Sequence, residues 1–380
     1  MIDALNDTVS IQGQLRSIHD GLRGDLPLIN RVAVAIYDGQ TDILKTFVHS
    51  TEGDPPFSHY EAKLDQIPSL RDLAERHSSR VIDELRLWNG ARVPSEHVRR
   101  LLQSGYRSTY TLPFYDHGDF FGFLFFDSSE PGYFSPPVIR HLSTYAHLIS
   151  LLIINEVSRV AALRSAILVA RKMSRTHNEE TGTHLDRMAR YSRLIAKSLA
   201  DAGWGINDEF VEFVFLYAPL HDVGKIAVSD RILLKPGKLS ADEYAVMKTH
   251  VSAGMDIVES IASGFHVGMG QHVDLLRNIV RFHHEAFDGS GYLSGRKGED
   301  IPLEARIVAV ADVFDALTTV RCYKDAWTNE AAFRLLTELA GRQFDPHCVE
   351  ALTAHADTVP AIQEQFRSDN AFHEGYTTDL

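Results

Sequence analysis

The feature that most constrains this chain is a change of period near residue 138. Before it, apolar residues come in short β-rich runs parted by turn residues. After it, they recur at helical spacing for most of the remaining length. Side chains repeat every two residues along a strand and every 3.6 along a helix, so one pattern cannot serve as the other. Two periods within 380 residues imply an α+β two-domain chain, with an α/β domain first and an all-α bundle second.

Residues 31–37 (RVAVAIY) and 43–49 (ILKTFVH) flank Asp38-Gly39 and predict a β-hairpin. Residues 107–115 and 120–127 predict a second pair of strands, joined through Asp116-His117-Gly118-Asp119, and a polar helix is expected over 61–77. After Pro136-Pro137 a long helix is expected over 138–176, leaving the first domain and entering the second. Its polar positions (Arg159, Arg164, Arg171) alternate with apolar ones (Leu163, Ile167, Ala170), as in a packed or dimerising helix. Further helices are expected at 209–218, 241–260, 271–284, 304–320 and 329–340, with a polar tail behind them.

Composition narrows the partners. The net charge is −13 and no dense Lys/Arg block occurs, which argues against DNA as a partner. An anionic substrate still fits if metal ions and a few local cations reverse the field at one site. Two cysteines, Cys322 and Cys348, make neither a disulfide framework nor a four-cysteine zinc site. The N-terminus lacks the basic start and apolar core of a signal peptide. No uninterrupted run approaches the roughly 18 apolar residues needed to span a bilayer. A cytoplasmic protein without a membrane span is expected.

Chemistry concentrates in the second half. His221-Asp222-Val223-Gly224-Lys225 offers a nitrogen and carboxylate oxygens at one helical corner, and Asp222 is able to bridge two metals. His283-His284-Glu285 follows an amphipathic run; on a helix two consecutive histidines diverge by roughly 100° and could serve different ions. His250 sits in the expected helix 241–260 without a local partner. Glu180 and His184 are four apart on a face that continues through Met188, Tyr191, Ile195 and Leu199, an apolar stripe that should point inward. Buried there, they pair with each other or hold a metal. Asp312, inside the apolar run 305–315, needs a cation for the same reason, while Asp315 reads as a structural hydrogen-bonding residue. Glu180, His184, His221, Asp222, His250, His283, His284 and Asp312 together make eight N/O ligands, too many for one ion and suited to two or three of iron, manganese or zinc. Such centres hydrolyse phosphoesters: a bridging water is acidified while the metals neutralise phosphate oxygens.

The order of these residues resembles the HD-GYP family of HD-domain phosphohydrolases. HDVGK at 221–225, KPGKLS at 235–240, His250, HHEAFDGSGY at 283–292, IPLEARIVAVADVFDALT at 301–318 and RCYK at 321–324 carry the likeness, which covers about residues 177–345. It implies a helical bundle around two or three divalent metals, most often iron, alternatively manganese. The implied reaction is hydrolysis of cyclic di-GMP to pGpG, and onward to GMP, by a metal-bridging hydroxide. His184, His221, Asp222, His250, His283, His284 and Asp312 become metal ligands; Glu180 resembles the extra ligand of three-metal members. Asp222 and Lys225 take catalytic roles, and Lys225, Tyr292, Arg321 and Lys324 contact substrate. Two departures stand out: Leu293 replaces the signature proline, and Cys322 stands in the usual Arg-Pro-Tyr. Other readings keep the site but change its use, namely another dinucleotide such as cyclic GMP-AMP or pGpG, or a cyclic di-GMP receptor that does not turn it over.

Residues 20–155 resemble, more loosely, a GAF regulatory domain, followed by a connecting helix over 156–176, the HD-GYP domain over 177–350 and a tail over 351–380. No cysteine falls in 1–155 and its histidines (His49, His59 and His117 among them) read as surface residues, so no GAF ligand is indicated. The resemblance implies a homodimer through the GAF domain and connecting helix, and a cyclase or other signalling protein as partner.

Overall fold

The computed structural model describes residues 10–87, 96–173, 182–264, 270–320 and 326–367. The chain divides into two compact units, with the change at Arg159/Val160 apart from two short segments.

The first unit is built on a six-stranded antiparallel sheet of order β3-β2-β1-β6-β5-β4. Its strands are β1 (Arg31–Asp38), β2 (Ile43–Thr51), β3 (Glu61–Lys63), β4 (Arg80–Ile82), β5 (Ser108–Asp116) and β6 (Asp119–Ser128). Helices α1 (Ile11–Asp25), α2 (Pro68–Glu75) and α3 (Glu96–Gln103) accompany it. Both expected hairpins form. β5 and β6 turn at His117-Gly118, both at positive φ, the geometry of a two-residue hairpin turn matched to strand twist. The helix expected at 61–77 is shorter: residues 61–63 pair with β2 as an edge strand, and the helix begins only at Pro68, whose fixed φ suits a first turn. Strand β1 is buried over its first six residues, as a central strand covered on both faces must be. One face packs Ala33, Ala35, Phe123 and Phe125 against Leu70 and Leu73 of α2.

Not all histidines of this unit are the surface residues expected. His117 is exposed, but His19 is 2% exposed and held between Ser50 Oγ and the Ile29 carbonyl. His97 stacks on Phe57 at 4.5 Å and leans on Phe125. An imidazole can be buried when it is neutral and its nitrogens or ring faces find partners, which spacing in sequence does not show.

Helix α4 (Pro136–Met173) is the long helix expected, 38 residues without a break. Leu142, Ala146, Ile149, Ile153, Val160 and Leu163 lie on its buried face at three- and four-residue spacing. Its stretch Pro136–Ala166 is long and apolar enough, by length and composition, to cross a membrane, with 33% of its most apolar window buried. The expectation that nothing here qualifies counted uninterrupted runs, and Ser150, Asn155 and Glu156 interrupt the run without making the average polar. A core helix passes the same test.

The second unit is helical: α5 (Gly182–Asp201), α6 (Asp208–Tyr217), α7 (Asp230–Leu233), α8 (Ala241–Lys248), α9 (His250–Gly264), α10 (Gly270–Phe282), α11 (Leu303–Thr318), α12 (Asn329–Leu339), α13 (Pro346–Thr353) and α14 (Val359–Gln365). The fold class is therefore α+β, as expected. The stripe Met188, Tyr191, Ile195 and Leu199 of α5 is buried, and Tyr191 meets Phe314 of α11 edge-on at 5.1 Å. The helix expected at 241–260 is two helices that part at Thr249. Part of the expected tail is helical, and Phe366 beyond α14 is buried.

Candidate metal centre

The site is assembled at element ends. Pro219 disfavours helical backbone in the residue before it, so α6 stops at Tyr217 and the chain tightens into short 3-10 turns over 218–220 and 223–227. His221 and Asp222 stand between those turns. Gly224 lies against the start of α9; a Cβ there would come 1.9 Å from the His250 carbonyl and 2.4 Å from the Gly254 nitrogen. The absence of a side chain is what lets the His-Asp corner approach α9. His250 is the first residue of that helix rather than an interior one, which turns its ring toward the corner. His283 and His284 follow the end of α10 at Phe282. They do not diverge as helical neighbours would: their rings lie 4.0 Å apart and join one cluster.

Ligand atoms of Asp222, His250, His283 and His284 all lie within 4.8 Å of one another. The two oxygens of Asp222 face different partners. Oδ1 is 3.2 Å from His250 Nε2 and 3.6 Å from His283 Nε2, while Oδ2 is 3.1 Å from His221 Nε2 and 2.6 Å from Lys225 Nζ. Asp312 Oδ1 reaches to 3.7 Å from His221 Nε2. Burial works to raise the Asp222 carboxyl, but Lys225 and His221 beside it hold it well below the usual carboxylate range. Burial, reinforced by His283, holds the His284 imidazole well below its ordinary value, and burial also lowers His283. Neutral imidazoles around an ionised carboxylate are the protonation states a divalent cation requires of its ligands.

The ring nitrogens are assigned by local backbone. Nδ1–H of His221 donates to the Ala218 carbonyl (2.9 Å), that of His250 to Met247 (2.8 Å) and that of His283 to Ile279 (3.0 Å). Each bond fixes the tautomer and leaves Nε2 as the lone-pair nitrogen. His184 follows the same logic with a side chain: its Nδ1 lies 2.5 Å from Asp315 Oδ2. Nε2 of His184, His250 and His283 and Oδ1 of Asp222 are buried without a hydrogen-bond partner. Orphaned polar atoms of this kind are expensive unless something unseen completes them. Divalent cations, which take imidazole and carboxylate ligands together, fit this donor set.

Asp315 is fully buried, and besides His184 it accepts Arg187 Nε (2.7 Å), Arg187 Nη2 (3.0 Å) and Thr319 Oγ1 (3.1 Å). Sequence reading missed Arg187; its place three residues after His184, on the same face of α5, is the signal that could have found it. Asp312, one turn earlier on α11, is more open than Asp315, at 23% side-chain exposure. Glu285 was also passed over: its Oε1 accepts the Ser294 N–H and ties the following loop back. In that loop a Cβ on Gly291 would fall 2.2 Å from the Ala286 nitrogen, so only glycine allows the return. Tyr292 N–H then donates to the His284 carbonyl, and its ring stacks on His284 at 4.8 Å. Leu293, in place of the signature proline, is 53% exposed. Glu180, Arg321 and Lys324 lie outside the described residues.

Residues 167–348 match the HD domain family, and the helical unit is an HD domain. More narrowly, the order of motifs within this unit resembles that of the HD-GYP family. It is 46% identical over 191 residues to the cyclic di-GMP phosphodiesterase response regulator RpfG of Xanthomonas campestris, covering 50% of this chain and 47% of that one. It is 37% identical over 205 residues to a cyclic di-GMP phosphodiesterase of Vibrio cholerae, covering 53% and 41%. To the 3'3'-cGAMP-specific phosphodiesterase 2 of the same organism it is 40% identical over 186 residues, covering 49% and 33%. The chain thus spans about half or less of the length of these relatives. The first unit is similar to the phycocyanobilin-bound GAF domain from a cyanobacterial phytochrome, at 17% identity and TM-score 0.31, covering 39% of this chain and 86% of that one.

Proposed function

We propose that the chain is a metal-dependent phosphodiesterase that hydrolyses cyclic di-GMP to pGpG and on to GMP, regulated by its N-terminal unit. The observation that carries this reading is the convergence of Asp222, His250, His283 and His284 within 4.8 Å, with Asp222 Oδ1 and Nε2 of His250 and His283 buried and unpaired. Iron or manganese held there would acidify a water and neutralise phosphate oxygens. Asp222 serves as the shared ligand, since its two oxygens face different groups. His221, Asp312 and His184 complete the donor set, and Glu180 adds the ligand for a third ion. Lys225, its ammonium already at the Asp222 carboxylate, meets the substrate phosphate or gives a proton to the leaving oxygen. Arg321 and Lys324 supply further positive charge for a dianionic substrate in an acidic protein. Tyr292, stacked on His284, is the first aromatic surface a bound nucleotide meets. The protein acts in the cytoplasm, as a homodimer paired along α4, where Leu148 and Leu151 are exposed.

Turnover of cyclic di-GMP by anaerobically prepared, iron- or manganese-loaded protein, with products separated, tests the proposal. Formation of pGpG and GMP supports it; no product from protein with at least two ions per chain refutes it. A second reading, hydrolysis of 3'3'-cyclic GMP-AMP, is favoured by the 40% identity to the cGAMP-specific enzyme and is tested by the same assay with that substrate.

A further inference from the structure

Beside the clustered histidines lies a surface of which the reaction as described uses only Tyr292. Helix α8 begins with a complete capping box: Ser240 Oγ accepts the Glu243 N–H, and Glu243 accepts the Ser240 N–H. Lys235 Nζ donates to the same Glu243 carboxylate at 2.6 Å. These bonds fix the first turn of a helix whose next residues are Tyr244 and, four positions on and on the same face, Lys248. Tyr244 is a large aromatic side chain left 48% exposed. Its ring meets Tyr292 edge-on at 6.3 Å, and Tyr292 in turn lies flat on His284. Lys248 Nζ stands 5.3 Å from the centre of the Tyr244 ring and 5.7 Å from that of Tyr292. Among the described residues it makes no ion pair.

We infer that Tyr244, Lys248 and the outer side of Tyr292 form a guanine subsite, which rests on the phosphodiesterase reading and extends it to base recognition. An exposed ring held by a rigid helix turn offers a stacking face to a planar base, and every base has a π-face to match. Stacking does not choose among purines; Lys248 does. Guanine presents two acceptors, O6 and N7, on one edge, whereas adenine presents a donor beside its N7. An ammonium has donors and no acceptor, so it completes guanine and leaves the adenine amino group opposed. The subsite is one ring layer from the clustered histidines, so a phosphate at the metals places its own base within reach. No carboxylate is needed for this arrangement, and none among the described residues pairs with Lys248.

The test is titration calorimetry on the full chain loaded with manganese, using GMP, AMP and ribose 5-phosphate as probes. In the unaltered protein GMP binds about tenfold tighter than ribose 5-phosphate, the size of one stacked base. Tyr244→Ala brings the two within twofold, Tyr244→Trp keeps the difference, and Lys248→Ala removes the preference for GMP over AMP. Hydrolysis of methyl p-nitrophenyl phosphate, which carries no base, is unchanged in all three variants. The inference is overturned if GMP binding survives Tyr244→Ala, or if ribose 5-phosphate and the simple diester lose as much as GMP does. Failure of the unaltered protein to cleave any cyclic dinucleotide would refute the proposed activity, and the GMP titration would still decide the subsite.

Discussion

Replacing Asp315 should unload the metal centre without touching a proposed ligand. Its carboxylate is fully buried and receives four donors: His184 Nδ1, two Arg187 nitrogens and Thr319 Oγ1. Arg187 is itself only 5% exposed on its side chain. Burial works to raise the Asp315 carboxyl, but His184 and Arg187 hold it below its ordinary value, so it is ionised at neutral pH. Two consequences follow from Asp315→Asn. The guanidinium keeps its charge and loses its counterion, and breaking a buried pair from one side costs about 3–5 kcal/mol. His184 exchanges the carboxylate that fixes its ring for at most a neutral amide oxygen, and altering such an outer partner typically costs about 10- to 100-fold in metal affinity. The two effects separate in a second variant. Asp315→Leu with Arg187→Met removes both charges and should recover most of the stability, because the desolvated cation is gone, while metal affinity stays low. Denaturant unfolding with and without chelator, together with manganese titration against a competing chelator, reads both quantities. Metal affinity within twofold of the unaltered protein in a folded Asp315→Asn chain would refute the argument.

Gly224→Ala should cost at least about 2 kcal/mol and lower metal content, because the added methyl meets backbone of α9 rather than a side chain that could move; unfolding curves and metal analysis check this. Asp222→Ala should abolish metal binding while the protein remains folded, since the variant removes the carboxylate placed between His250, His283 and His221; two ions per chain after dialysis would contradict the proposed ligand set. His97 in the first unit is pushed down to about 3, by burial first and then by Arg31, Arg80 and Arg100. Its folded value lies below the unfolded one near 6.5, so on acidification the unfolded chain takes the proton first and stability falls between pH 6.5 and about 3. The partly open ring makes this about 1–2 kcal/mol between pH 6.5 and 5, and His97→Phe should remove that slope from unfolding followed at pH 7 and pH 5.

Much of this architecture was legible because periodicity and turn chemistry act locally. The hairpins, α4 and the buried stripe of α5 follow from residues within a few positions of one another. What was not legible depends on contacts between distant segments. Residues 61–63 became a strand because β2 offered an open edge, not because of their own propensity. Arg187 and Asp315 could not be paired from sequence, being 128 residues apart. His250 looked unsupported in a continuous helix; the break at Thr249 places it at a helix start and gives it a role.

The two kinds of information meet in the histidines. Sequence supplied the residue types for a metal centre but not which nitrogen each ring would present. The structure answers with backbone carbonyls three or four residues earlier, Ala218 for His221, Met247 for His250 and Ile279 for His283. That spacing is a helical turn, so a histidine at a helix or 3-10 end carries its own orienting acceptor wherever it occurs. At His184 the orienting group is a side chain: its Nδ1 meets Asp315 Oδ2. The buried Asp315–Arg187 pair holds this ring as the backbone carbonyls hold the other three. The same reasoning explains why Asp315 is the fully enclosed acid of α11 while Asp312, one turn earlier and facing His221, stays partly open. An acid that must hold a proton donor in place belongs in the interior, whereas the partial exposure of Asp312 suits the proposed role of an ion ligand.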